Sequence, residues 1–267
     1  GPRVAVDAGH HNFHTADGRY APFSRLLRAD GFRVSSLTQA FSAQVLAEVD
    51  ILVIANALHA SAENDWSAKP QSAFSEAEII AVQQWVEAGG ALLLIADHQP
   101  FPAAAAHLAH AFGFIFYNGY VLDTSKKQNQ GLVTFSVSEG SLLPHPILAA
   151  QQGRAPIASV TLFLGQGFLA PPTAQPLLQL QQRHAIFFPT LPGKISADTT
   201  QISAERWLQG AALATGKGRM AVFGEAAAFT AQTSGNGNKV GINHPLGENN
   251  PWFLLNTLYW LYPSPRS

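Results

Sequence analysis

The sequence predicts an α/β fold, a three-layer sandwich with a mainly parallel central sheet and a β-rich insertion in the middle of the chain. Three observations predict it. Short apolar runs (Val4 to Val6, Asp50 to Ala55, Ala91 to Ala96) alternate with segments of helical length and period, the pattern of parallel strands covered on both faces. The runs end in polar clusters: Asp7 with His10, His11, Asn12 and His14, then Asp97-His98, then Glu225 after Met220 to Gly224. The chain is 47% hydrophobic and 12% charged, against roughly 25% charged in ordinary soluble domains, so a carboxylate closing an apolar strand is conspicuous.

Taken in order, Val4 to Asp7 is the first strand. Ala21 to Ala29 is a helix with Pro22 at its start and Leu26 and Leu27 inward, ending at Asp30-Gly31. Phe32 to Ser35 is a strand, Phe41 to Ala47 a short helix, and Asp50 to Ala55 a third strand with no polar interruption. Ser75 caps a helix reaching Val86, with Glu78 three residues on completing a capping box. Ile79, Val82 and Val86 form its stripe, Gly89-Gly90 ends it, and Ala91 to Ala96 is the fourth strand. Gly113 to Tyr117, Leu132 to Val137, Val160 to Leu164, Leu177 to Leu180 and Ala185 to Phe188 read as strands between Gly- and Pro-rich turns. Met220 to Gly224 is a returning core strand, Ala226 to Ala231 a helix start, and Asn250 to Leu261 a closing helix, apolar on nearly every face. That last helix is either deeply buried or part of a dimer contact. The return of a core strand after the irregular middle implies one domain over residues 3–263, interrupted at about 113–200. Gly1-Pro2 reads as a tag scar.

Composition narrows the function. A net charge of −1 without a basic stripe argues against nucleic acid as a partner. No cysteine is present, which removes a catalytic thiol, a disulfide framework and a thiolate zinc site. No apolar run reaches the ~18 residues of a membrane span. Localisation stays open, with an exported, periplasmic protein favoured over a cytoplasmic one. No Walker A sequence occurs, and Gly165-Gln166-Gly167-Phe168-Leu169-Ala170 is followed by Pro171-Pro172 rather than by a helix to hold a pyrophosphate. Neither ATP nor NAD is expected.

The polar clusters lie where ligands bind in open α/β sheets, beyond the carboxyl ends of the strands. Three His within five residues suit a metal, since neutral imidazole is a common metal ligand; the bland alternative is a polar loop bonding backbone. Asp97-His98-Gln99-Pro100 stands where hydrolytic α/β folds carry a nucleophile, but no Ser or Cys sits at its apex and no G-x-S-x-G occurs. Asp97 alternatively caps the helix after Pro102. Glu225 is either a general base or a carboxylate favoured by a helix N-terminus. Asn56, Asn243 and His244 are loop residues within reach of the cleft, and Trp66 is the best candidate for a lid. His59, His107, His110, His145 and His184 read as structural or idle.

The segments Asp7…His10…Asn12-Phe13-His14-Thr15, Ala96-Asp97-His98-Gln99-Pro100-Phe101-Pro102 and Phe223-Gly224-Glu225-Ala226-Ala227 carry a resemblance. The chain resembles the class I glutamine-amidotransferase-like (flavodoxin-like) superfamily, which includes trehalose-utilisation-type proteins, and looks closest to a bacterial branch lacking the catalytic Cys. The resemblance implies a flavodoxin-like three-layer sandwich. Glutaminase chemistry does not carry over, because Asp97-His98 replaces the Cys elbow.

The leading expectation is a metal-dependent hydrolase of an ester, phosphoester or amide bond in a small or saccharide-like substrate. His10, His14 and His98 would bind zinc or another divalent transition metal, with Asp97 as fourth ligand or as the group orienting an imidazole. Glu225 would be the base for a metal-bound water, and His11, Asn12, Asn56, Trp66, Asn243 and His244 would meet substrate. Two rivals stand beside it: a metal-free enzyme using Asp97 and Glu225 on a glycoside, and a non-catalytic saccharide-binding module. A homodimer is compatible with all three.

Overall fold

The protein is described by a computed structural model covering residues 1–151, 153–234 and 237–263. Its first half runs β1 (Arg3–Asp7), α1 (Ala21–Ala29), β2 (Arg33–Leu37), α2 (Ala43–Leu46), β3 (Ile51–Ala55), α3 (Glu76–Glu87), β4 (Ala91–Ile95) and α4 (Phe101–Ala111). Apolarity sorts these strands across the sheet. β3 and β4 are buried at every residue and occupy central positions, whereas β2, with two exposed serines, forms the edge. The parallel order is β2-β1-β3-β4, continued by the late strand β14.

The middle contributes β5 (Ile115–Phe116), β6 (Tyr120–Asp123), β7 (Leu132–Ser136), β8 (Ser159–Phe163), β9 (Phe168–Leu169), β10 (Gln175–Gln179), β11 (His184–Phe188) and β12 (Thr200–Ser203). β13 (Leu208–Thr215), β14 (Gly218–Phe223), β15 (Ala231–Thr233), β16 (Lys239–Gly241) and α5 (Asn250–Leu261) complete the chain. β13 turns back at Gly216 and runs antiparallel to β14; β10 and β9 pair with β13, and β5 with β9. β6, β11 and β12 make a separate antiparallel sheet, and β7 pairs with β8. The architecture is thus a mixed α/β one, with a mostly parallel central sheet and added β-rich parts.

Alternation along the core strands divides the interior. Val4, Val6, Val53, Leu93 and Ala221 face α1 and α5, where Phe23, Leu27, Phe253 and Leu258 complete one buried cluster. Ala5, Leu52, Ile54, Leu94 and Val222 face α3 and α4, packing with Val82, Val86 and Leu108. α5 is buried within the chain: Phe253, Leu254, Leu255, Leu258 and Leu261 are all covered, and Trp252 lies under the Arg154 guanidinium. Among the described residues no helix is long and apolar enough to cross a membrane.

Several elements differ from the sequence expectation: β6, β9, β12, β15 and β16 are not expected as strands, and two further differences bear on the site. β13 has no counterpart in the expectation, because Gln209-Gly210-Ala211-Ala212 carries none of the branched or aromatic residues that mark strands. Its small residues are what allow it: a Cβ on Gly210 would collide with Leu178 and Phe223. The helix expected from Ala226 is a single 3₁₀ turn, Ala227–Phe229. The first amide of that segment, Ala226 N, is drawn off to Asp97, and the chain leaves directly into β15.

Candidate functional site

Register delivers the polar residues to one edge. Ala55, Ile95 and Phe223 lie in one row across β3, β4 and β14, so Asn56, Asp97 and Glu225 all emerge just past the carboxyl ends of adjacent strands. The loop after β1 is pinned above them by Phe13 N bonding Asn56 O and Leu58 N bonding His10 O, both at 2.9 Å.

In that loop His10 is clamped from both sides. Its Nδ1 is 2.9 Å from Asp7 Oδ1 and its Nε2 is 2.8 Å from Glu78 Oε1, while Phe41 and Phe74 flank the ring at 4.6 and 4.7 Å. Burial opposes a charge on His10, but the two carboxylates outweigh it and raise the pKa above the ordinary value. Glu78 is itself held by the Ser75 capping box and by Phe41 N; burial works against its charge, yet these bonds and His10 bring it down to about 2. Both ring nitrogens of His10 are therefore occupied by protein. Asn12 supports the same loop, donating to Asp7 Oδ2 at 2.9 Å and accepting from His10 N.

Asn56 sets the chemistry of its neighbours. Its backbone is left-handed (φ 52°), a conformation Asn tolerates better than most residues. Asp97 N donates to Asn56 Oδ1 at 2.8 Å, which turns the amide nitrogen toward His14 Nδ1 at 3.1 Å. His14 Nδ1 must then accept, so the His14 proton resides on Nε2. That Nε2 is buried beside the side chain of Gln232 in β15, whose hydrogen bond works in favour of charge on the ring. Burial first, then the positive charge of Arg19, push the His14 pKa down to about 3, so the ring is neutral.

The two acids are tied to backbone. Asp97 accepts from His98 N at 2.8 Å and from Ala226 N at 3.3 Å, joining the end of β4 to the turn after β14; it does not cap α4. Glu225 has no exposure and accepts from Ala227 N at 2.6 Å and Ala228 N at 2.8 Å. Burial, and next the Asp97 charge, push the Glu225 carboxyl well above its usual range. Tyr20, buried close to both acids, donates to Ala226 O at 2.9 Å.

His98 is the partly exposed member, its side chain 19% exposed. Its Nδ1 donates to Gln99 O at 2.8 Å, leaving Nε2 with only Asp97 Oδ1 at 4.0 Å. Tyr120 stacks on it with centroids 4.7 Å apart and planes 17° from parallel, and Trp66 and Phe101 each approach at 6.0 Å. Phe13 links this cluster to His14, at 5.7 Å from Phe101, 5.4 Å from Trp66 and 5.3 Å from His14. His14 and His98 are near enough that charge on the second depresses the pKa of the first.

The expected zinc ligands His10, His14 and His98 are not gathered into one set. Among the described residues no three His, Cys, Asp or Glu side chains converge to hold a metal ion, since His10 is spent on Asp7 and Glu78 and His14 presents an N–H. Of the expected substrate contacts, Trp66 stands beside His98 and Asn56 lies beneath it as a positioning residue. His11 pairs with Glu63 at 3.0 Å on the exposed side of the loop. Asn243 donates to Gln232 O at 3.2 Å. His244 caps the 3₁₀ turn Pro245–Gly247 and lines a groove of about 680 Å³ that neither Asp97 nor His98 lines. Sequence reasoning passed over Tyr120 and Gln166. Gln166 is fully buried, bonding Ala96 O and Tyr117 N, behind a Gly165 whose φ of 102° and contact with Gly224 O exclude any side chain.

No protein-family model matches the chain, and no curated protein matches it in sequence. Solved structures do match in shape. The mmIFT52 N-terminal domain superposes with a TM-score of 0.68 at 15% identity over 99% of both chains. A cytoplasmic protein from Salmonella typhimurium gives 0.56 at 13% identity over 97% of this chain and 98% of that one. A putative ThuA-like protein from Bacteroides uniformis gives 0.54 at 15% identity, over 99% of this chain and 92% of that one. The shared fold is a flavodoxin-like sandwich. At such identities the likeness is one of fold, and function rests on the site.

Proposed function

We propose that the chain is a recognition module that binds a small hydroxyl-bearing, saccharide-like ligand at the carboxyl edge of the sheet, without cleaving it. One observation carries the reading: two imidazoles, His14 and His98, border one aromatic cluster. His14 carries its proton on Nε2 beside Gln232, His98 turns Nδ1 to Gln99 O and leaves Nε2 with only Asp97 Oδ1 at 4.0 Å, and a hydroxyl group both donates and accepts. Phe13 and Trp66, both partly exposed, supply the apolar faces against which the C–H face of a sugar ring packs, with Phe101 buried behind them, the usual composition of a site with few polar groups on an apolar wall. The acids argue against turnover. Each Glu225 oxygen accepts a backbone amide and the residue is sealed from solvent, and Asp97 is likewise held by two amides.

Calorimetric and NMR titration with a panel of mono- and disaccharides tests this. Saturable binding that disappears in His98→Ala and Trp66→Ala, with native circular dichroism and no product formed, is the expected result. Hydrolysis of an ester or phosphoester that requires His98, together with stoichiometric metal in the purified protein, would overturn it and restore the metal-dependent hydrolase.

A further inference from the structure

We propose that the β6–β11 sheet carries a second site, which takes a small oxyanion such as phosphate or a carboxylate. It lies in a cavity of about 330 Å³ lined by Asp123, Lys126, Glu139, Arg183 and His184, none of which belongs to the aromatic cluster around His98. The inference does not depend on the saccharide reading.

The site is built by pairing. β6 and β11 run antiparallel with Asp123 opposite His184, which puts a buried acid and a buried imidazole side by side at the end of the ladder. Asp123 is already neutralised. Ser125 N and Oγ bind its Oδ1 at 3.0 and 2.6 Å, and Lys126 Nζ and Arg183 Nε each stand 3.4 Å from its Oδ2. Two cations thus serve one buried carboxylate, and one positive charge is left over. Glu139 supplies the balance, 2.8 Å from Arg183 Nη2, but its side chain is 51% exposed. A rim pair of that kind contributes little, and an incoming oxyanion can take its place on the guanidinium, whose fork matches carboxylate and phosphate geometry.

His184 supplies the independent observation. Gln181 N donates to its Nδ1 at 2.8 Å, which puts the proton on Nε2. The residue is 2% exposed, lines the cavity, and its Nε2 has no hydrogen-bond partner. Buried N–H groups are seldom left unpaired, and this one belongs to a residue that lines a cavity shared with two cations. Burial, and then Arg183, lower the His184 pKa to about 4, so at neutral pH the ring donates without adding charge. Guanidinium, ammonium and imidazole N–H together describe an acceptor-only, anionic guest.

The test is a titration of the full chain with inorganic phosphate, and separately with acetate, at constant ionic strength, following the His184 ring and the Ser125 and Arg183 amides by NMR. Saturable shifts at these nuclei with either anion are expected; which one saturates identifies a tetrahedral or planar guest. Arg183→Gln should weaken binding about tenfold or more, in line with loss of a charge-assisted pair. Glu139→Gln removes the competing carboxylate at an exposed position and should tighten binding several-fold. Non-saturating shifts like those given by chloride, or affinity unchanged in Glu139→Gln, would overturn the proposal.

Discussion

Replacing Asn56 with Ala removes two buried hydrogen bonds, the one accepted from Asp97 N and the one donated to His14 Nδ1, and puts an alanine at a left-handed φ. The expected loss in urea denaturation is about 2–4 kcal/mol, and Asn56→Gly should recover roughly 1 kcal/mol of it by relieving the backbone. With Asn56 gone the His14 proton is no longer fixed, so ligand affinity should fall in both variants. His10 gives a pH signature. Because its folded pKa is raised, its contribution to stability is fully present below the unfolded value of ~6.5 and is lost as pH rises through the folded value. The stability gap between wild type and His10→Gln should therefore narrow between mildly acidic and alkaline buffer; a gap that widens with pH would refute the charged clamp. The residue scale is also where the sequence misleads most. His244, expected to meet substrate, accepts a backbone N–H at the start of a 3₁₀ turn through Nδ1, as do His59 and His145, which the sequence reads as structural or idle. A capping histidine and a ligating histidine look alike until the partner is known, and for His10 that partner, Glu78, is far along the chain.

At the level of elements, legibility followed apolar contrast. β1, β3 and β4 announce themselves because nothing polar interrupts them, and α3 because Ser75 and Glu78 stand at capping-box spacing. β13 was illegible, being made of small residues chosen by what packs over them. The turn after Glu225 was misread because a carboxylate before an alanine run signals a helix, whereas here its amides are shared between two acids. Ser75→Ala tests the coupling of an element to the site. Loss of an N-cap alone costs about 1 kcal/mol. Ser75 also orients Glu78 through bonds at 2.7 and 3.0 Å, so thermal unfolding should show a larger loss, and the loss should shrink in a His10→Gln background. Additive effects in that double-mutant cycle would separate the cap from the clamp.

Across the whole molecule, two apolar layers meet the sheet from opposite sides, and α5 closes one of them. Leu258→Ala in that helix should cost about 2–5 kcal/mol, the range for truncating a fully buried leucine, measurable as a lower denaturant midpoint with unchanged slope. Hydrogen exchange should be slowest in β3 and β4, which have neighbours on both edges and covered faces on both sides.

The placement of β14 has a consequence for synthesis. β4 is finished early in the chain, yet its outer partner is made only after the whole β-rich middle. While the ribosome is still making residues 96 to 217, the nascent domain holds half a sheet whose wholly apolar edge strand exposes an unpaired row of amides and carbonyls. An open strand edge of that kind invites pairing with another chain. That edge stays open until Gly218–Phe223 arrives to cover it, so slowing synthesis between residues 96 and 217 should raise the aggregated fraction of the nascent protein, measurable in a cell-free translation.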